Sequence, residues 1–120
     1  MFDHIGIVVA DLAASKAFYA AALAPLGFGV AMEFESHVGM GPPGRPQFWF
    51  GPGAKPSSPL HLAFAAPSRA AVDAFYAAAL KAGARDNGPP GLRPHYHSHY
   101  YGAFVIDPNG HNAEAVCHAP

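Results

Sequence analysis

Cysteine is almost absent from this sequence, and long apolar runs are missing altogether. Cys117 is the one cysteine, so the chain has no internal disulfide framework, and we expect that thiol to be buried. No apolar run reaches the roughly 18 residues of a membrane-spanning helix, and the first residues lack the features of a secretory signal. These absences predict a reduced, cytoplasmic, globular protein that does not interact with a membrane.

Charge is also scarce. Charged side chains make up 12% of the 120 residues and the net charge is -1, whereas 51% of the residues are hydrophobic. This composition is typical of one folded domain with a single core. The lack of a basic stripe argues against nucleic acid as a partner. Because few charges remain to cover the surface, we expect a homodimer that buries part of the apolar surface.

An internal repeat organises the chain. The segment FYAAAL at 18–23 recurs letter for letter at 75–80, which is 57 residues further on, and the same shift carries His4 onto His61. Each histidine stands in a short strand-like run just before the repeated segment. The repeat predicts two copies of one structural unit.

Both copies predict the order β-α-β-β-β. Asp11 and Ser68 are suitable N-caps for the two helices, and alternating or apolar runs mark the strands. In the first copy we expect strands at 2–10, 30–35, 37–40 and 47–50. In the second copy we expect strands at 60–65, 100–107 and 112–117, with a loop-like stretch at 85–94 that holds a short strand at one end. The result is an α+β domain with one module at about 1–51, a linker at 52–59 and a second module at about 60–118.

Glu114 is the most conspicuous polar residue, because it lies in the middle of an otherwise apolar strand. A buried carboxylate needs a positive partner or a metal, so Glu114 is either a paired or edge-exposed carboxylate or a metal ligand. If the two modules pack with approximate two-fold symmetry, His4 and His61 converge in one cleft. Together with Glu114 they would form a site for Fe(II), Zn(II), Mn(II) or Ni(II), with positions left for substrate oxygens.

The sequence resembles the vicinal oxygen chelate superfamily, which includes glyoxalase I, fosfomycin-resistance proteins, bleomycin-resistance proteins and extradiol dioxygenases. The resemblance rests on HIGI at 4–7, HLAF at 61–64 and FVIDPNGHNAEAV at 104–116. It implies two βαβββ modules that form a curled mixed sheet around a metal-binding cleft, with His4, His61 and Glu114 on the ligand positions. Glyoxalase I adds a glutamate from the last strand of the first module. This chain has QFWF at 47–50 instead, which is closer to the dioxygenase and fosfomycin-resistance branches.

The stretch RPHYHSHYY at 93–101 is the second group of chemically active side chains. If it is extended, His95, His97 and His99 share one face, whereas Tyr96, Ser98 and Tyr100 share the other. Three interpretations of this stretch are open: a separate metal site, a surface loop, or a wall of the substrate cleft. As a wall, its catalytic candidates are His97, His99 and Tyr101, and the substrate-pocket candidates are Phe48, Trp49, Arg93, His95 and Tyr100. We expect His111 and His118 to be solvated.

Two further points concern the arrangement of the modules. The sequence DPNG at 107–110 predicts a turn. The Pro-x-Gly segments at 42–44 and 108–110 match each other, and this register places Glu114 opposite Phe48 in the repeat. Modules of this superfamily pair either within a chain or between chains, and the sequence leaves both arrangements open.

The function that these observations predict is a metal-dependent enzyme, a lyase or a dioxygenase. It would bind a small substrate through two neighbouring oxygens on a divalent metal ion. The alternative is a non-catalytic small-molecule or drug-binding protein of the bleomycin-resistance type. The aromatic side chains would suit either a catalytic cleft or a binding cleft.

Overall fold

The computed structural model describes residues 2–55 and 58–120. The first module contains one strand, one helix with a short 3-10 turn after it, and three further strands. These elements are β1 (Ile5–Val9), α1 (Leu12–Leu23), the 3-10 turn (Ala24–Leu26), β2 (Gly29–Phe34), β3 (His37–Gly41) and β4 (Phe48–Pro52). The predicted βαβββ order of the first copy is confirmed.

The second module follows the same plan with one addition. Its elements are β5 (His61–Ala65), α2 (Arg69–Lys81), β6 (Arg85–Asp86), β7 (Gly91–Leu92), β8 (Tyr101–Ile106) and β9 (Asn112–Cys117). The stretch at 85–94 holds two short strands where one was predicted, and both pair with β8. Part of the predicted linker, residues 56 and 57, lies outside the described residues.

The strands form two mixed sheets instead of one continuous sheet. The first has the order β1-β4-β3-β2, and the second has the order β5-β9-β8-β6, with β7 also on β8. In each sheet the first strand of the module runs parallel to the last, and the remaining pairs are antiparallel. The α+β fold with two related modules is therefore confirmed. The first strand of each module is an edge strand of its sheet. His4 immediately precedes β1, and His61 is the first residue of β5.

One face of each sheet packs against a helix. The side chains of Asp11 and Ser68 cap the two helices by accepting hydrogen bonds from Ala14 N and Ala71 N. Both helices bury one side in a shared apolar core, and α1 contacts α2. The buried apolar residues of the two helices are Phe18, Tyr19, Ala22, Leu23, Val72, Phe75 and Ala79. Neither helix is long and apolar enough to span a membrane, within the part of the chain that the structure describes.

The helix-free face of the first sheet, which we call the outer face, carries several large apolar side chains that are exposed. Met32 is 49% exposed and Phe34 is 64% exposed, and both belong to this face together with Trp49. Large exposed apolar side chains that lie side by side indicate a surface that another molecule covers.

A polar turn joins the two modules inside the core. The Asp107 carboxylate accepts hydrogen bonds from the Tyr19 hydroxyl and from the backbone N–H groups of Asn109 and His111. Burial and the nearby Asp107 charge raise the pKa of Tyr19 well above its ordinary value. The predicted turn at 107–110 is therefore confirmed, and its polar groups are buried and paired between the modules.

His111 does not have the solvated position that we predicted. Its side chain is buried, and Nδ1 accepts a hydrogen bond of 2.8 Å from the backbone N–H of Leu60. The turn carries His111 into the interior, where it ties the start of the second module to the turn. A sequence position just after a turn does not reveal that the turn itself is covered by another module.

We expect Asn109→Ala to lower the free energy of unfolding by about 2 kcal/mol, because it removes two hydrogen bonds of a buried amide, one of them to the buried hydroxyl of Ser15. Asn109 Oδ1 accepts from Ala10 N at 3.0 Å, and Nδ2 donates to Ser15 Oγ at 3.0 Å. Urea unfolding measures the change. The control is Asn87→Ala, which removes an exposed amide that donates to Asn112 Oδ1 at 3.2 Å. Equal losses in the two variants would contradict this role of Asn109.

Candidate functional site

His61 and Glu114 meet on the helix-free face of the second sheet. They lie on the adjacent strands β5 and β9, where Ala63 is the direct cross-strand neighbour of Glu114. His61 Nε2 is 2.7 Å from Glu114 Oε1. The Glu114 side chain has no exposed surface, whereas 54% of the His61 side chain is exposed. This His61–Glu114 pair therefore joins a buried carboxylate to an imidazole that reaches solvent.

Tyr100 holds the other oxygen of the carboxylate. Its hydroxyl donates to Glu114 Oε2, and partial burial together with the Glu114 charge raises the pKa of Tyr100 above its ordinary value. Gly102 leaves the room for this contact, because a Cβ at that position would lie 3.1 Å from the Tyr100 ring and 3.3 Å from Glu114 Oε2. Tyr100 was predicted only as a pocket residue. The alternation of side chains in the predicted strand, which places residues 100, 102 and 104 on the face of Glu114, could have indicated the contact between Tyr100 and Glu114.

In the described part of the chain, no lysine or arginine forms a salt bridge with the buried carboxylate, and its basic neighbour is the imidazole of His61. The salt bridges of residues 2–55 and 58–120 pair Glu114 with His61 alone. A carboxylate removed from water in this way needs a positive partner, a metal ion or a proton. The donor atoms that face each other are an imidazole nitrogen and a carboxylate oxygen, a combination that first-row divalent metals accept.

His4 does not join this pair within one chain. Its Nδ1 is 2.6 Å from Asp3 Oδ1, and its ring lines an open cavity of about 440 Å³ on the outer face of the first sheet, together with Phe34, His37 and Trp49. Among residues 2–55 and 58–120, no three His, Cys, Asp or Glu side chains are grouped closely enough to hold a metal ion. The convergence of the two repeat histidines in a cleft of a single chain is therefore not observed. The reason is that β1 and β5 belong to different sheets.

The repeat register that placed Glu114 opposite Phe48 is wrong by one residue. Ile5 pairs with Phe48, and its repeat counterpart Leu62 pairs with Ala113. Trp49 is thus the counterpart of Glu114, and Phe48 points into the core. Because successive side chains of a strand alternate between faces, this shift moves Phe48 away from the outer face and puts the indole there.

The stretch at 93–101 forms turns instead of an extended strand. Backbone hydrogen bonds run from Tyr96 N to Arg93 O and from Tyr100 N to His97 O, and Arg93 N donates to Tyr100 O across the base of the loop. The alternation of histidine and tyrosine faces that an extended chain would give is therefore absent. The structure instead makes this stretch the exposed tip of the β7–β8 hairpin.

The predicted catalytic residues of this stretch lie in two different places. His97 and His99 are exposed, and their ring centroids are 5.9 Å apart. His118, which we expected to be free in solvent, is also exposed but packs edge-on against His97 and Tyr100. Tyr101 lies on the helix side of β8, where its hydroxyl donates to Asp73 of α2 at 2.6 Å. Tyr101 is thus on the opposite face of the sheet from Glu114, because it follows Tyr100 by one residue.

Arg93 and His95, both predicted to line the substrate pocket, have other contacts. The Arg93 guanidinium donates to the carbonyl oxygens of Pro89 and Gly91 and lies over the Phe104 ring, 5.4 Å from its centroid. His95 is exposed, and its ring centroid is 4.1 Å from that of Tyr96. Arg93 therefore holds the hairpin together, and the His95 ring packs against Tyr96.

An apolar cavity of about 270 Å³ opens between the two modules, beside His61. Its walls come from both modules and include Ile5, Phe28, Met40, Phe48, Leu62 and Phe64. Phe48, a predicted pocket residue, lines this cavity, whereas Trp49 lines the cavity beside His4. The sequence held no signal for the cavity, because its walls come from segments that are far apart along the chain.

Comparison with known proteins assigns both modules of the chain to one family. The family profile described as "Glyoxalase/Bleomycin resistance protein/Dioxygenase superfamily" matches residues 1–115. A crystal structure of a glyoxalase/bleomycin resistance protein from Albidiferax ferrireducens T118 is similar to this chain, with a TM-score of 0.84 and 32% identity. The similarity covers 100% of this chain and 99% of that one.

Two more distant structures share the fold alone. A glyoxalase/bleomycin resistance protein/dioxygenase family enzyme from Burkholderia phytofirmans PsJN has a TM-score of 0.74 at 20% identity, over 98% of each chain. Oxidase ChaP-H2 has a TM-score of 0.70 at 22% identity, over 100% of this chain and 94% of that one. No curated protein matches the sequence.

Proposed function

Because the chain belongs to the glyoxalase/bleomycin resistance protein/dioxygenase superfamily, we propose that it is a metal-dependent enzyme. Its substrate would be a small molecule that binds through two neighbouring oxygens, and its reaction would be of the lyase or dioxygenase type. The observation that carries this proposal is the fully buried Glu114 carboxylate, paired with the imidazole of His61 at 2.7 Å.

The residues of one chain fit part of a metal site. His61 Nε2 and Glu114 Oε1 would hold a divalent ion such as Zn(II), Fe(II), Mn(II) or Ni(II) by displacing their mutual contact. When bound, such an ion stabilises negative charge that develops on a substrate oxygen. Two ligands are fewer than a stable protein site uses, so the pair needs a third protein ligand.

His4 is the proposed third ligand, contributed by a second copy of the chain. It lines a cavity on the outer face of the first sheet, beside the exposed Phe34 and the indole of Trp49. Burial of this apolar face against the second sheet of a partner would remove exposed apolar surface from water. We therefore propose a homodimer with modules paired between chains. Each site would then take His4 from one subunit and the His61–Glu114 pair from the other.

Tyr100 would keep the carboxylate oriented. Its hydroxyl donates to Glu114 Oε2 and leaves Oε1 on the side of His61. Hydrogen bonds of this kind to a metal-binding carboxylate fix its direction and strengthen binding. A phenol is protonated at neutral pH, so Tyr100 would serve as a hydrogen-bond donor to Glu114 and not as a base. Proton transfer to or from the substrate would then require another group. We propose His97 or His99 for this transfer.

The test is the metal content of the purified, untagged protein, measured by elemental analysis and repeated on His61→Ala. We expect close to one metal ion per chain in the wild type and a large loss in the variant. His95→Ala is the matched control, because that imidazole is exposed and stacks on Tyr96. Iron would direct assays to catechol-like substrates and oxygen uptake, whereas zinc, nickel or manganese would direct them to lyase and thiol-transfer reactions. No metal after anaerobic reconstitution would overturn the proposal.

The second candidate function is binding of a drug-like or aromatic molecule without chemistry. It is favoured by the apolar cavity beside His61 and by the fact that the described residues of one chain bring only two of the three ligands together. In that case the wild type would bind apolar ligands but would hold no stoichiometric metal.

A further inference from the structure

We propose that the buried imidazole of His111 is the polar end of a second binding site, which takes a small uncharged molecule with a carbonyl oxygen and an apolar body. The site lies where β1 of the first module meets the start of the second module. It is independent of the proposed function, because neither His61 nor Glu114 lines it among the residues that the structure describes.

The hydrogen bond at Nδ1 determines which ring nitrogen of His111 carries the hydrogen. The backbone N–H of Leu60 donates to Nδ1 at 2.8 Å, so Nδ1 has no hydrogen of its own. A ring that accepts at Nδ1 carries its hydrogen on Nε2, which makes Nε2 a donor. A doubly protonated ring could not accept this bond. The contact with Leu60 therefore holds His111 as a neutral imidazole with its N–H at Nε2.

This Nε2 donor is buried without an acceptor. His111 is 1% exposed, and Nε2 has no hydrogen-bond partner within residues 2–55 and 58–120. The backbone of the same residue is satisfied, since its N–H donates to Asp107 Oδ1 at 2.8 Å. A buried N–H that lacks an acceptor loses its hydration and gains nothing in return, and such groups are rare in folded proteins. An acceptor atom from a bound molecule would remove this cost.

A cavity of about 230 Å³ is available to such a molecule. A water molecule takes up roughly 30 Å³ in the liquid, so the cavity has room for more than the single water that would satisfy Nε2. Its walls come from both modules and carry no charged side chain. The lining residues are Gly6, Ile7, Val8, Ser58, Leu60 and His111.

The lining decides the class of ligand. Ile7, Val8 and Leu60 offer aliphatic surface for an apolar body, and apolar walls with a few polar groups are typical of small-molecule sites. A carboxylate would match the N–H donor, but burying an ion without a counter-ion is costly. The carbonyl oxygen of an uncharged molecule accepts the same hydrogen bond without that cost.

The first experiment follows the Nε2–H signal of His111 by NMR. The protein carries 13C- and 15N-labelled histidine and is treated with a chelator, so the result does not depend on the proposed metal. The probes are cyclopentanone and cyclopentane, which have similar rings, and only the ketone has an acceptor. We expect a saturable shift of the Nε2–H signal with the ketone and at least about fivefold weaker binding of cyclopentane. The Cδ2–H signal of the exposed His95 is the internal control and should not move.

Two results of this titration would overturn the proposal. Equal affinities for the two probes would show that the His111 N–H does not recognise the oxygen. An Nε2–H signal that does not respond to cyclopentanone would show that the cavity takes no such ligand. Nuclear Overhauser contacts to a long-lived water would then identify that water as the acceptor.

Substitutions show whether the response comes from the cavity. Val8→Trp should fill it and abolish cyclopentanone binding, because Val8 lines the cavity and its 49% exposure leaves room for a larger side chain. The matched control is Val30→Trp, at a strand position of the same sheet that is 41% exposed. His111→Phe keeps an aromatic ring without the donor, and it should bind the ketone no more tightly than cyclopentane. Thermal unfolding shows which variants are folded. Equal ketone binding by Val8→Trp and Val30→Trp would contradict the assignment, even if His111→Phe does not fold.

Discussion

Glu114→Gln is expected to lower metal affinity at least about a hundredfold while the protein stays folded, because a neutral amide replaces the one anionic ligand. Glutamine has nearly the same shape as glutamate, and Tyr100 can still donate to the side-chain carbonyl oxygen. The substitution also removes a negative charge that has no exposed surface. Burying a neutral group costs less than burying a charge, so we expect the free energy of unfolding without metal to be unchanged or higher.

Affinity is measured by competition with a chromophoric chelator, and stability by urea unfolding of the metal-free protein. The matched control is Glu33→Gln, because Glu33 is an exposed carboxylate whose partner is Lys16 at 2.5 Å. Glu33→Gln should bind metal like the wild type. Stoichiometric, tightly held metal in Glu114→Gln would refute the assignment of Glu114 as a ligand, and the carboxylate would then be a structural partner of His61 and Tyr100.

Two variants that each fail to bind metal are expected to recover metal binding when they are mixed, if the ligands of one site come from different chains. In a dimer of His4→Ala with His61→Ala, one of the two sites combines both defects and the other has every ligand. If subunits exchange at random, the mixture should hold about a quarter of the wild-type metal, although neither variant alone holds any. Unfolding the variants together and refolding them, followed by elemental analysis, gives the measurement.

The structure supplies a negative control for this mixing experiment. His61 and Glu114 are 2.7 Å apart in the same chain. A mixture of His61→Ala with Glu114→Gln can therefore never assemble an intact site, whichever way the subunits pair. Recovery in the first mixture but not in the second supports modules paired between chains. If neither mixture recovers metal and both variants form dimers, the proposal that a partner contributes His4 is refuted.

The secondary structure could be predicted from local features of the sequence. The repeated FYAAAL segment marked both helices, and Asp11 and Ser68 cap them as predicted. The turn at 107–110 followed from Asp, Pro and Gly at fixed offsets, and Gly110 adopts the left-handed conformation with φ of 90°. These features depend on neighbouring residues along the chain, and such residues carry the same preferences in any fold.

The alternation of side chains in β9 could also be predicted from the sequence, but the contacts that its side chains make could not. The central position of Glu114 in an apolar strand predicted an unusual carboxylate, and the structure buries it completely. Its hydrogen-bond partner Tyr100 depends on the path of the β7–β8 hairpin. The one-residue difference between Tyr100, beside Glu114, and Tyr101, beside Asp73, decides which phenol faces the site.

The sequence by itself determined the two related modules, the polar turn and the residue types that could form a metal site. Only the tertiary structure decided which of those residues meet: it joined His61 to Glu114, left His4 on another sheet and buried His111 between the modules. The physical reason is that strand and helix preferences are local, whereas the packing of one sheet relative to another depends on contacts between distant segments. Those contacts form cooperatively, because they are determined by the burial of an apolar core to which the whole chain contributes.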